Sequence, residues 1–209
     1  PNNDQRSLEL ETKKGDEVCT SCHQKYATLP AQRAHSHHDP QGEGGRCMAC
    51  HMPRKNMSLE GKLSRYHRIG SPTDSARVLG DRPLECALCH PDRSVEQLTK
   101  EMEQMFGKTY DRGALLTLYQ DLSQNVLLQT LKIGKPHEQA SAIAVLGQHK
   151  RRDAIPLLAQ LVTHPLPILR YYVRDALANI VGSPAPFDLH TDNDKLQAAQ
   201  TSLGKLNAS

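Results

Sequence analysis

Apolar positions along the chain follow two regimes. After Pro91 they recur at helical spacing for long stretches. Ser94 stands before Val95-Glu96-Gln97 as an N-cap with an acidic first turn, which predicts a helix ending near Gly107. A second helix is predicted from about Asp111 to Leu131, where Leu115, Leu116, Leu118, Tyr119, Leu122, Val126 and Leu127 keep the period. Further helices are expected over Ala140–Gly147, over Asp153–Val162 with Pro156 in the first turn, and over Ile168–Val181, with a last one over Asn193–Leu206. Gly147 and Gly182 close equivalent-looking helices 35 residues apart, near the period of helical solenoids, and the imperfect register amounts to one and a half repeats. Before Pro91 the chain shows little such period. The expected fold is therefore mainly α, with a loop-rich domain over 1–97 followed by an α-helical domain over 98–209.

Composition sharpens the contrast. Only 37% of residues are hydrophobic, with no Trp, two Phe and a mean hydropathy of -0.60, thin material for an ordinary core. Something other than side chains is expected to fill the interior of one part. No stretch approaches the roughly 20 apolar residues that span a bilayer, and the start, Pro1-Asn2-Asn3-Asp4-Gln5, carries no apolar signal segment. The chain is expected to be soluble, any export signal having been removed. The formal charge of +3 comes without a Lys/Arg stripe of the kind that tracks phosphates, so nucleic-acid binding gains no support.

All six cysteines lie in the first part, as three pairs each followed by His: Cys19-Thr20-Ser21-Cys22-His23, Cys47-Met48-Ala49-Cys50-His51 and Cys86-Ala87-Leu88-Cys89-His90. Two thiols one helical turn apart can each add to one vinyl group of a porphyrin edge, and the His that follows points its imidazole at the iron. The pattern predicts three covalently attached c-type haems, tethered by Cys19, Cys22, Cys47, Cys50, Cys86 and Cys89, with His23, His51 and His90 as proximal ligands. A disulfide framework does not require a His after each pair. Zinc, the main competitor, would have to explain why three pairs, rather than two or four, are each followed by His. Covalent haem attachment takes place outside the cytoplasmic membrane, which implies periplasmic or extracellular residence. Haems tethered this close together must pack nearly in contact, and would themselves be the apolar interior of their domain.

Each iron has a sixth position, and its occupant separates a carrier from a catalyst. His35, His37, His38 and His67 are the spare imidazoles of this segment, four for three irons. In Ala34-His35-Ser36-His37-His38, residues three apart would share a helical face, so that His35 and His38 act together while His37 points elsewhere. Met57 is a competing ligand; Met52, beside His51, can reach only a neighbouring iron. Arg46, Arg54, Lys55, Arg65 and Arg68 are candidate propionate partners, a solvated basic face being the alternative for each. His137, His149, His164 and His190 read as surface residues.

With these residues in view, the stretch from about 19 to 97 resembles the multihaem cytochrome domain related to cytochrome c554 that is found fused to tetratricopeptide or HEAT repeats. The resemblance is carried by His35 and His38 before Gly44, by Cys47 to Pro53 with its Cys-His-Met-Pro end, by His67, and by Cys86 through Ser94. It implies His35, His38 and His67 as distal ligands. The sequence departs from the family at Tyr66, where an acidic residue is usual, and at Leu84-Glu85, where Asn-Ala is common. The passage from Ala140 to Gly182 is similar to HEAT repeats through Ala154-Ile155-Pro156-Leu157-Leu158 and Val173-Arg174-Asp175-Ala176-Leu177. The expected function is electron transfer by bis-histidine haems to redox partner proteins. Alternatives are a subunit of a conducting assembly, with other copies or other cytochrome subunits as partners, and an oxidoreductase with one open iron.

Overall fold

In the computed structural model, residues 13–58, 62–188 and 191–205 are described. The order of elements is α1 (Lys13–Cys22), α2 (Leu29–Ser36), α3 (Cys47–His51), β1 (Arg54–Met57), β2 (Leu63–Arg65), α4 (Ser75–Val78), α5 (Val95–Phe106), α6 (Arg112–Tyr119), α7 (Val126–Ile133), α8 (Pro136–Gln148), α9 (Ile155–Gln160), α10 (Pro167–Val181) and α11 (Asn193–Lys205), with short 3-10 turns between. The molecule is mainly α-helical, with one antiparallel hairpin pairing Asn56 with Ser64 and Met57 with Leu63. Among the described residues no helix is long and apolar enough to cross a membrane.

Local chemistry sets these boundaries. The Ser94 hydroxyl accepts from the Gln97 amide while the Gln97 side chain accepts from the Ser94 amide, a complete capping box that opens α5. Gly107, at φ 61°, closes it in the left-handed region that glycine tolerates. The single helix expected from Asp111 to Leu131 is two. The Asn125 side chain accepts from the Leu127 and Leu128 amides and starts α7 afresh, and Asp121 turns the preceding chain by accepting from the Ser123 amide. Gly147 lies inside α8 rather than capping it. Its missing side chain admits α10, since a Cβ there would come 2.7 Å from that of Ala176. Gly182, at φ 79°, does cap α10.

One cluster of buried apolar side chains runs from Val78 to Leu203 and takes in residues of α5 through α11. α8 packs on α10 and α7, and α9 packs on α11. The cluster also includes Leu84 and Ala87, with Cys86 and Leu88 packed against it, so the third cysteine motif is seated on the helical core. Other ties join the hairpin to that core. Ser141 donates to the Lys55 carbonyl at 2.7 Å, and the Tyr172 hydroxyl accepts from the Ser58 amide at 2.8 Å.

Candidate functional site

Each cysteine motif sits on a turn of helix. Cys19 and Cys22 end α1, Cys47 and Cys50 lie in α3, and Cys86 to Leu88 belong to a 3-10 turn. In the first and third motifs the His amide donates to the carbonyl of the first Cys, His23 to Cys19 at 2.9 Å and His90 to Cys86 at 3.0 Å. Both thiols and the imidazole thus spring from a single turn. All six thiols are free.

The motifs adjoin one another in chain order. Asp16 on α1 accepts from the Cys47 amide at 3.1 Å and from Arg46 Nε at 3.3 Å, fastening α1 to α3. Burial, then Asp16 and the neighbouring Cys19 thiol, push the Cys47 thiol up to about 12. Burial, then Cys89 and Glu85, push Cys50 to about 11, while Cys86 is raised to about 12 by burial and the charges of Cys50 and Glu85. Cys19 and Cys47 thus interact directly, and Cys50 is near enough to Cys86 and Cys89 for their charges to be felt.

The histidines between the motifs separate. His35 is in the last turn of α2, and its ring lies 5.9 Å from that of His51 with the planes 4° apart. His37 caps α2 at φ 57° and turns its edge to Phe106. That reversal sends His38 the other way, where its ring centre is 6.0 Å from that of His90. The shared helical face expected for His35 and His38 is absent, because the helix ends between them, and each faces a different motif.

These separations are informative. A metal–imidazole nitrogen bond of about 2 Å on either side, plus roughly 1 Å from nitrogen to ring centre, puts the centres of two axial imidazoles about 6 Å apart. Hydrogen bonding also fixes the ring faces. His38 Nδ1 meets the Ser36 carbonyl at 2.6 Å and His51 Nδ1 meets the Gly70 carbonyl at 3.0 Å, which assigns the proton to Nδ1 and leaves Nε2 as the free donor atom. Gly44 is required beside His38, since a Cβ there would lie 2.6 Å from the ring carbon Cδ2. Partial desolvation, then the facing His51, lower the pKa of His35, and this favours the neutral imidazole that ligates metals.

No family model, curated protein or solved structure matches the chain.

His23 and His67 are both exposed, and among the described residues no ring contact joins either to another imidazole. Met57 is 37% exposed at the end of β1. Of the candidate propionate partners, Arg46 pairs with Asp16, Lys55 is buried against Asp81 at 2.8 Å, and Arg65 donates to the Met48 and Met52 carbonyls at the end of α3. Arg54 donates to the Leu63 carbonyl, and Arg68 is exposed. His137 and His149 are exposed and His164 is half-buried; His190 lies outside the described residues.

Among the described residues no three ligand atoms of the cysteine motifs converge as a zinc site would require; the one group that does is Asp81, His137 and Glu138. Sequence offered no signal for that group, because Asp81 is remote from the adjacent His137 and Glu138. Its carboxylates are already engaged, Glu138 by Arg82 and the Lys135 amide and Asp81 by Lys55, which makes it an ion-pair hub joining the hairpin to α8. A cleft of about 450 Å³ lies beside His35, walled by Tyr26, Ala34, His37, Met105 and Phe106.

Proposed function

We propose that the chain is an exported trihaem c-type cytochrome that transfers electrons between redox partner proteins. The observation that carries this reading is the pairing of His35 with His51 and of His38 with His90. Each pair joins one motif histidine to one upstream histidine at the spacing that a shared metal needs. Haem, when bound, supplies a one-electron ferric/ferrous couple. The chain's own part is to tether, orient and space. Cys47 and Cys50 would hold one porphyrin with His51 and His35 on its two faces, and Cys86 and Cys89 another with His90 and His38. Cys19, Cys22 and His23 would hold the third, with His67 as the expected distal partner and His37 or Met57 as alternatives. Nδ1–H bonds to backbone carbonyls fix the ring orientation of His38 and His51 and strengthen them as ligands. Because the thiols of successive motifs lie near enough to feel one another's charge, groups tethered to them would lie close together as well.

Residence in the periplasm or outside the cell follows from where c-type attachment takes place. The helical part, which we read as HEAT-like, would dock a partner or a second copy. Among the described residues His23 is the motif histidine without a facing imidazole, so the alternatives of an open iron or of a ligand shared across an assembly attach to that position; rapid binding of CO by the reduced native protein would favour the open iron. The oxidised protein should be largely low-spin. His35→Ala and His38→Ala should each turn one haem high-spin while three remain attached. Retention of full low-spin character in both variants would remove these residues from the ligand set.

A further inference from the structure

We infer that Arg77 is a positioning residue that governs how strongly His51 donates to its metal, acting through the backbone of loop 66–70. The inference rests on the reading of His51 as an axial ligand. His51 and Gly70 are bonded in both directions. The Gly70 amide donates to the His51 carbonyl at 3.1 Å, and His51 Nδ1 reaches the Gly70 carbonyl at 3.0 Å. The position of that carbonyl depends on the loop before it, which is irregular and is fixed at its start by the Tyr66 amide donating to the Pro53 carbonyl at 2.8 Å.

Arg77 holds the rest. Its Nη2 donates to the Arg68 carbonyl at 2.6 Å, and its guanidinium lies 5.4 Å from the centre of the Tyr66 ring. It also fills the space that a side chain at position 70 would need, since a Cβ there would come 2.7 Å from Nη2 and 2.8 Å from Cζ. Glu85 fixes the guanidinium in turn. Arg77 Nη1 is 3.0 Å from both carboxylate oxygens, and the two side chains are only 10% and 7% exposed. A buried pair of this kind adds little net stability but specifies orientation, and a planar fork that must serve a carboxylate and a carbonyl in different directions is not replaced by an ammonium. Glu85 directly precedes Cys86. One ion pair therefore connects the carbonyl behind His51 to the turn that carries the third motif.

A carbonyl that accepts from Nδ1–H makes the imidazole a stronger donor and favours the ferric state. Slackening the loop should therefore raise the midpoint potential of this haem and leave the other two unchanged. Arg77→Lys and Gly70→Ala both keep the charge, so a simple electrostatic shift does not enter. In each, potentiometric titration of the three-haem protein should show one couple displaced upward by about tenfold in its ferric/ferrous ratio, equivalent to about 59 mV for a one-electron step. The displaced couple should be the one that His35→Ala turns high-spin. Three attached haems with no couple raised, or with all three moved alike, would overturn the role of Arg77. A wild-type chain that matures without haem would instead remove the reading beneath it. If Gly70→Ala does not accumulate, Arg77→Lys decides alone.

Discussion

Between Lys13 and Arg77 the described chain buries Met48 as its one large apolar side chain, whereas from Val78 to Leu203 a continuous apolar cluster includes Leu98, Leu115, Leu127, Ile143, Leu146, Leu158, Leu169 and Leu177, all 2% exposed or less. The helical region has what a side-chain core requires, and each fully buried Leu or Ile contributes about 1.5–3 kcal/mol through its removal from water. The first region is held instead by caps, ion pairs and hydrogen bonds such as that from the Cys47 amide to the Asp16 carboxylate. It also carries four of the six thiols, the facing pair His35 and His51, and His38, which faces His90 of the third motif at the edge of the helical region. In the proposed reading the interior is completed by the porphyrins tethered at its two motifs and by the one held at its border by Cys86 and Cys89, so folding of this region would be coupled to cofactor attachment. The contrast is therefore between a region with a side-chain core and one poor in buried hydrocarbon that presents paired thiols and facing imidazoles.

The most drastic way to break this contrast is to make the chain where c-type maturation is lacking. Limited proteolysis should then cut rapidly between residues 13 and 77 while a helical fragment from about residue 78 onward survives. Equal protection of both regions would show that the first folds on side chains alone. Next in size, Leu158→Ala empties a fully buried site in α9 and should cost about 2–5 kcal/mol in chemical denaturation followed by circular dichroism. The axial ligation seen by optical spectroscopy should stay as it is, and a changed spin state would mean that the helical core sets the ligand geometry. The smallest effect belongs to the seam between the regions. Tyr172→Phe removes the hydroxyl that bonds the Ser58 amide at 2.8 Å and reaches the Lys62 carbonyl at 3.1 Å, at a cost of about 1 kcal/mol. Amide exchange at Ser58 should quicken while that at Leu177 holds steady, and acceleration at both would show that the seam and the core open together.

The helical region was largely legible because its signals are local. Ser94, Gly107 and Gly182 mark ends by chemistry visible in a few residues, and the apolar period does the rest. The break between α6 and α7 escaped because Leu122, Val126 and Leu127 keep a helical rhythm across it, while the Asp121 and Asn125 side-chain bonds that interrupt it depend on turn geometry rather than on periodicity. The hairpin escaped because its strands, Arg-Lys-Asn-Met and Leu-Ser-Arg, are too short and polar to alternate. In the candidate site the motif residues could be read directly from spacing. The division of His35 and His38 between two motifs could not, since it turns on the left-handed conformation of His37, a residue type with only a modest preference for it. The reciprocal bonding of His51 with Gly70 and the Arg77–Glu85 pair are tertiary and left no mark in the sequence.

The most direct test of the central claim is the intact mass of the protein secreted from a host competent for c-type maturation, measured under denaturing conditions with thiol titration alongside. The account predicts a polypeptide heavier by three tetrapyrroles with no titratable thiol. A polypeptide at its bare mass with six reactive thiols, or one that binds zinc and is colourless, would contradict it.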